Sequence, residues 1–216
     1  MKIVAICGFA AEARILRRHG IEVRISGADP ARAVSEAEAA VAQGATALMS
    51  FGVAGGLDPK LRTGDLLLPR VVVALSGERF AVDAALHDRL QSRLAANHAD
   101  LLGFDSVVMD SRGKAKLHAQ GGAVAVDTES LSVVRVAKAH GVKFIVLRAV
   151  ADEASRSLPP AALVGLDTKG RFAPYRVMAS LFGRPRQLPA LIGLARDTRR
   201  ALASLHVAPA AIRGLA

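Results

Sequence analysis

The sequence predicts an α/β fold in which a mainly parallel or mixed sheet is covered by helices. Three observations predict it. Short β-branched and aliphatic runs alternate with longer helical patterns through residue 150. Half of the 216 residues are apolar (51%), enough to bury a full core. The stretch Ala31–Ala42 has the apolar spacing of an amphipathic helix, opened by Asp29-Pro30 and closed near Gly44.

Taken in order, strands are expected at Lys2–Cys7, Glu22–Ser26, Ala45–Phe51, Asp65–Val73, Gly103–Met109, Ala123–Val126 and Phe144–Val150. Helices are expected between them at 10–18, 30–43, 83–96, 112–120 and 129–140. This alternation favours a helix-covered sheet. Ligands of such sheets gather at the carboxyl ends of strands, so polar residues there carry weight. After Asp152 the texture changes: Ser157–Pro160, Gly165, Gly170, Pro174, Gly183–Pro185 and Pro189 break the chain into short pieces. A last helix is expected over 189–205. No linker is long enough for an independent domain. Residues 1–216 therefore read as a single domain, with 155–188 as a basic, apolar insertion or flap.

The charge is uneven. Of the formal +10, residues 1–154 hold 19 basic and 17 acidic side chains, whereas residues 155–216 hold 10 and 2. A basic excess points to an anionic partner. Aromatics make up only 4% of the chain, poor equipment for stacking nucleic acid bases, so nucleic acid is not expected. One cysteine, Cys7, fits a reducing compartment. The start MKIVAICGF lacks the long apolar stretch of a signal peptide, and no uninterrupted apolar run could span a bilayer. A cytoplasmic protein is expected. The six histidines are scattered without ligand spacing, so neither a metal nor a resident cofactor is expected.

Four segments could carry chemistry. Ser50-Phe51-Gly52-Val53-Ala54-Gly55-Gly56-Leu57 follows a strand, and its glycines would let backbone N–H groups approach an anion or a sugar. They equally fit a tight strand-to-loop turn. In Val126-Asp127-Thr128-Glu129-Ser130 two acids stand where a strand becomes a helix. Asp127 also fits a helix cap, and Glu129 a favourable first-turn charge. Asp152 ends a strongly apolar strand, as a site residue or a turn residue. Glu12 follows Gly8 by four residues, as a site residue or an exposed first-turn glutamate.

In this order the four segments resemble the purine nucleoside phosphorylase and nucleosidase superfamily, over roughly residues 1–154. The resemblance rests on Gly8…Glu12, on Gly52-Val53-Ala54-Gly55-Gly56-Leu57…Leu61…Gly64-Asp65, on Val126–Ser130 and on Arg148-Ala149-Val150-Ala151-Asp152. It implies a nucleoside phosphorylase-like three-layer fold with a twisted mixed sheet, and cleavage of the N-glycosidic bond of an adenine nucleoside. It implies Asp152 as the acid near N7 of the base and Glu12 as the group that positions the attacking water. Glu129 would hold the ribose hydroxyls, with Thr128, Ser50, Gly52, Val53, Ala54 and Gly55 around sugar and nucleophile. A homodimer or higher homo-oligomer is also implied.

The departures are specific. The phosphorolytic branch carries an arginine before the glycine loop and a Ser or Thr inside it, where this sequence has Ser50 and Val53. Thr128 stands where the family has Met, and Ala151 where it has Ser. A closer resemblance, over residues 114–130 and the basic segment after Asp152, is to the hopanoid-associated phosphorylases. It implies adenosylhopane as the substrate, in hopanoid lipid biosynthesis. Phosphorolysis would need inorganic phosphate as co-substrate, with Ser50, Arg148 or a neighbouring subunit's arginine as its anchor. Without those anchors the chemistry is hydrolysis. The alternative substrate is the soluble one of a 5′-methylthioadenosine/S-adenosylhomocysteine nucleosidase. In this reading Arg171, Phe172, Arg176, Phe182, Arg184 and Arg186 would rest at an anionic inner-membrane surface, or pack on the protein's own subunit or dimer mate.

Overall fold

The computed structural model describes residues 1–163 and 185–215. In β1 (Ile3–Cys7) successive residues go to opposite sides, Val4 and Ile6 into one apolar cluster, Ala5 and Cys7 into another. The same division runs through β3 (Ala47–Gly56) and β9 (Lys143–Asp152). Leu48 and Val146 join the first cluster, Met49, Phe51, Ile145 and Leu147 the second. A strand buried on both faces reads as a continuous apolar run, and nine of the ten β9 residues are buried. Arg148 and Asp152 interrupt that run.

Helices close both faces. On the first lie α2 (Pro30–Ala42) and α5 (Ser130–Ala139), which pack on each other. Asp29 caps α2 as expected, accepting from the N–H groups of Ala31 (2.8 Å) and Arg32 (3.2 Å). The second face takes α1 (Ala10–Arg17), α3 (Ala84–Gln91) and the C-terminal helices. Those are α7 (Leu188–Ser204) and α8 (Ala208–Arg213). The remaining helices are α4 (Ser111–Gly121) and the short α6 (Pro160–Leu163).

The sheet is mixed. It includes β2 (Glu22–Ile25), β4 (Leu66–Leu67), β5 (Val71–Ala74), β6 (Arg79–Ala81), β7 (Leu101–Gly103) and β8 (Ala125–Asp127). Its order is β2-β1-β3-β8-β7-β5-β6, with β9 beside β3 and β4 on β9. β3 runs parallel to β1 and β9, and its last residues meet β8 antiparallel. This is the expected α/β fold, a mixed sheet flanked by helices.

Several boundaries differ from expectation for reasons of pairing. β3 does not end at Phe51 but continues to Gly56, because β9 and then β8 supply hydrogen-bond partners to its end. The segment expected as one strand at Asp65–Val73 splits at Pro69-Arg70. Its first part pairs with β9 and its second with β6 and β7. The strand expected at Gly103–Met109 is Leu101–Gly103: pairing with β8 is exhausted at Gly103↔Asp127, and 104–110 leaves the sheet. Strand β6 and helix α8 were not anticipated. The flap expected over 155–188 lies largely outside the described residues, as do Arg171, Phe172, Arg176, Phe182 and Arg184; Arg186 is exposed. No helix among the described residues is long and apolar enough to cross a membrane.

Candidate active site

Glu12 enters the site through helix capping. It stands in the first turn of α1, and its Oε2 accepts from the N–H of Phe9 (2.8 Å). Its Oε1 accepts from the N–H of Val53 (2.8 Å), which ties the helix to the end of β3. The residue is 1% exposed, not the solvated glutamate that its position also allowed. Burial pushes its pKa up to about 7, aided by the charge of Glu129 and opposed by Arg148 and the two N–H groups. Gly52 is what makes room. Its φ is +153°, and a Cβ there would land on the Glu12 carboxylate. Gly52→Ala is therefore expected to lose roughly 1–3 kcal/mol and to displace Glu12. Thermal unfolding measures the first effect; a variant as stable as the parent would show that the Glu12 carboxylate is not fixed over residue 52.

Arg148 lies beneath. Its Nη2 pairs with Asp127 and with Glu129 Oε2 (3.0 Å), and donates to Ser50 Oγ (2.6 Å). Nη1 donates to the carbonyl of Val53 (3.4 Å). Asp127 also accepts from Ser130 Oγ (2.5 Å) and from its backbone N–H (3.3 Å), so it caps α5 and holds Arg148 at once. Glu129 makes no cap; Thr128 Oγ1 donates to its Oε1 (2.9 Å). Burial raises the Glu129 carboxyl above its usual range, with Arg148 pulling the other way. Gly8 permits this approach, since a Cβ there would stand 2.7 Å from Glu129 Oε1.

Arg148 and Ser50, expected as candidate phosphate anchors, face inward. Both are buried, at 1% and 0% exposure, and neither lines the pocket. The guanidinium is enclosed by carboxylates, and Ser50 is turned toward Arg148 and Ser130.

Asp152 closes the other end. A register shift in the β3–β9 ladder, between Ala54 and Gly55, sets it opposite Gly55. Its carboxylate pairs with Lys114 of α4, which is 1% exposed and which sequence reasoning gave no role. Lys114 Nζ also donates to the carbonyls of Glu153 (2.9 Å) and Arg156 (3.0 Å). Burial pushes the Asp152 carboxyl up, with Lys114 pulling it down.

These groups line a pocket of about 510 Å³. Glu12, Thr128, Glu129 and Asp152 face it together with Val53, Ala54, Gly55 and Lys114. Gly52 lies behind them, under Glu12. The outer wall is apolar, built by Phe9, Val107, Val108, Leu158, Ala162 and Leu194. Carboxylates around one small volume can stabilise positive charge, hold hydroxyl groups and exchange protons with bound water.

Such a pocket, set at the strand ends of this mixed sheet, defines an enzyme that transfers or hydrolyses glycosyl groups. The chain belongs to the phosphorylase superfamily, whose family model matches residues 4–165. No match to a curated protein was found. Among solved structures it is similar to the Neisseria meningitidis 5′-methylthioadenosine/S-adenosylhomocysteine nucleosidase in complex with methylthio-immucillin-A. That likeness has a TM-score of 0.75 at 18% identity, over 99% of this chain and 100% of the other. It is similar to Helicobacter pylori futalosine hydrolase, with a TM-score of 0.70 at 19% identity over 96% of each chain. The Helicobacter pylori 5′-methylthioadenosine/S-adenosylhomocysteine nucleosidase with butyl-thio-DADMe-Immucillin-A gives 0.67 at 19% identity, over 95% and 96%.

Proposed function

We propose that this chain cleaves the N-glycosidic bond of an adenine nucleoside with water, releasing adenine. The observation that carries hydrolysis is the enclosure of Arg148 by Asp127 and Glu129, which takes that arginine out of the pocket and leaves Arg32, at the β2–α2 side, as the one lining arginine among the described residues. A phosphate dianion would meet Glu12 and Glu129 at the sugar position and be repelled. Water would be welcome. Glu12, with its pKa near 7, takes the proton of the attacking water as that water adds to C1′. Glu129 accepts hydrogen bonds from the ribose hydroxyls, and its charge offsets the positive charge that grows on the ring. The electron pair of the C1′–N9 bond leaves with the base, and a proton reaches N7 from the Asp152 side. No cofactor enters this scheme, and phosphate would enter only as a co-substrate.

For the substrate itself we propose the lipid-linked nucleoside adenosylhopane. The apolar outer wall of Val107, Val108, Leu158, Ala162 and Leu194 supports it, as does exposed apolar surface at Leu188 and Ile192 beside Arg186. These features suit a chain that works at an anionic membrane surface. The test is adenine release from adenosylhopane and from methylthioadenosine, each with and without phosphate. Release from adenosylhopane at equal rates without phosphate is expected, and Asp152→Asn should lower it by about 10²–10⁴-fold. A ribose 1-phosphate product would overturn hydrolysis. Preference for methylthioadenosine would overturn the lipid substrate.

A further inference from the structure

Among the described residues Lys114 is the one lysine that lines this pocket, and its surroundings are oxygen acceptors. Nζ faces three oxygen acceptors: Asp152 Oδ2, the carbonyl of Glu153 and the carbonyl of Arg156. An ammonium offers three donors and no acceptor, so all three are met. A neutral amine would need a hydrogen from one of these oxygens, which only a protonated Asp152 could give. Paired as ions, Lys114 is the ammonium and Asp152 the carboxylate.

A carboxylate has no proton to donate. Resting on the reading of this pocket as an adenine nucleoside site, we propose that Lys114 is the proton source behind Asp152. As the C1′–N9 bond breaks, its electron pair passes into the base and N7 becomes basic. An N–H bond of Lys114 breaks and its proton goes to Asp152 Oδ2. The carboxyl group turns about its Cβ–Cγ bond and gives that proton to N7. Asp152 is again a carboxylate, Lys114 is a neutral amine, and adenine departs neutral. Lys114 then recovers a proton from water. It is a positioning residue, acting on the base through Asp152.

The surroundings are built for this. Asp110 caps α4 by accepting from the N–H of Gly113 (2.8 Å), and the N–H of Leu158 donates to the carbonyl of Met109 (2.7 Å). Helix and turn thus hold Lys114 between them. The charged groups facing the pair are Arg156 in that turn and Asp197 of α7, which pair with each other (2.5 Å), while the Glu153 carboxylate turns to the Thr63 N–H and Arg62. Glu12, Asp127 and Glu129 line the pocket farther along, and Asp29 and Arg32 stand at its β2–α2 side. Burial holds the Asp152 carboxyl above its usual range despite Lys114.

The test compares Lys114→Met and Lys114→Arg with the parent on two substrates across pH 5.5 to 8. One is adenosylhopane or methylthioadenosine, whichever the parent cleaves faster. The other is 4-nitrophenyl β-D-ribofuranoside, whose nitrophenolate leaves without a proton. Without Lys114, Asp152 must carry its own proton, which it does at low pH and loses as pH rises. Lys114→Met should therefore match the parent within about tenfold at pH 5.5 and fall about 10²–10³-fold behind at pH 8, for adenine release only. Arginine does not give up its protons, so Lys114→Arg should not restore release at pH 8. Two results would overturn the proposal while leaving the site reading intact. One is an equal loss on both substrates at all pH values, the mark of a structural role. The other is full recovery with arginine, which would reduce Lys114 to a fixed charge. If the parent releases no adenine from either nucleoside, the site reading falls, and this proposal with it.

Discussion

Glu12→Gln is expected to lower adenine release by about 10²–10⁴-fold at pH 8, because the amide cannot take a proton from water. In the parent, the rate should rise with pH through a midpoint near 7, where the buried Glu12 carboxyl ionises. The same group makes a stability prediction of opposite sign. Its pKa is about 7 when folded, against 4.5 without the fold's environment. Between those values the folded chain binds the extra proton, so Glu12 favours the folded state most below about pH 4.5. That contribution, about 3 kcal/mol, is lost as pH rises to 7. Glutamine has nothing to lose there. The melting temperature of Glu12→Gln minus that of the parent should therefore climb by roughly 6–12 °C between pH 4.5 and 8. A flat difference across that range would mean that Glu12 is not held at a raised pKa. The site would then have no reason to pair lost activity with gained stability.

How far the site could be read from the sequence depends on what kind of signal each residue gives. Asp152 and the β9 strand were legible because an acid ending an apolar run is a local pattern. Glu129 was legible because a strand-to-helix junction puts it near a sheet end. The direction of Arg148 was not. Four residues before Asp152, it reads as a cation within reach of the same ligand, yet it turns inward to Asp127 and Glu129. Those carboxylates come from another strand and helix, and only the packing of α5 against the sheet brings them there. Lys114 was hidden for a similar reason. On its own helix it looks like any solvated lysine, and its partner is 38 residues away. The glycine segment misled in a different way. Its residues suggested a loop after Phe51, but glycines in a strand also admit close neighbours. Here they admit the Glu12 and Asp152 carboxylates beside a ladder that continues to Gly55 with one register shift. The charge excess after residue 154 shows the limit of composition: it marks a region rather than a reaction.

Arg148→Met is expected to cost the most stability of any change in the site. The methionine fills much of the same volume, so the loss is electrostatic. Asp127 and Glu129 would stay buried, at 6% and 3% exposure, with no countercharge, and Glu12 would lose the cation that offsets it. Removing one partner of a buried ion pair costs about 3–5 kcal/mol. At about 2–4 °C per kcal/mol for a chain of this size, the melting temperature should fall by roughly 6–20 °C. The deficit must shrink at low pH, because protonating the stranded carboxylates removes the unpaired charge. Melting curves at pH 5 and pH 8 therefore test the account directly, and a pH-independent deficit would point to packing instead. Phosphate gives a second reading of the same residue. If Arg148 could reach a bound phosphate, phosphate would raise the parent's melting temperature by mass action and leave that of Arg148→Met unchanged. With the guanidinium held by Asp127, Glu129, Ser50 and Val53, phosphate should shift neither protein. Arg148 would then serve the reaction by letting buried acids remain charged around the sugar.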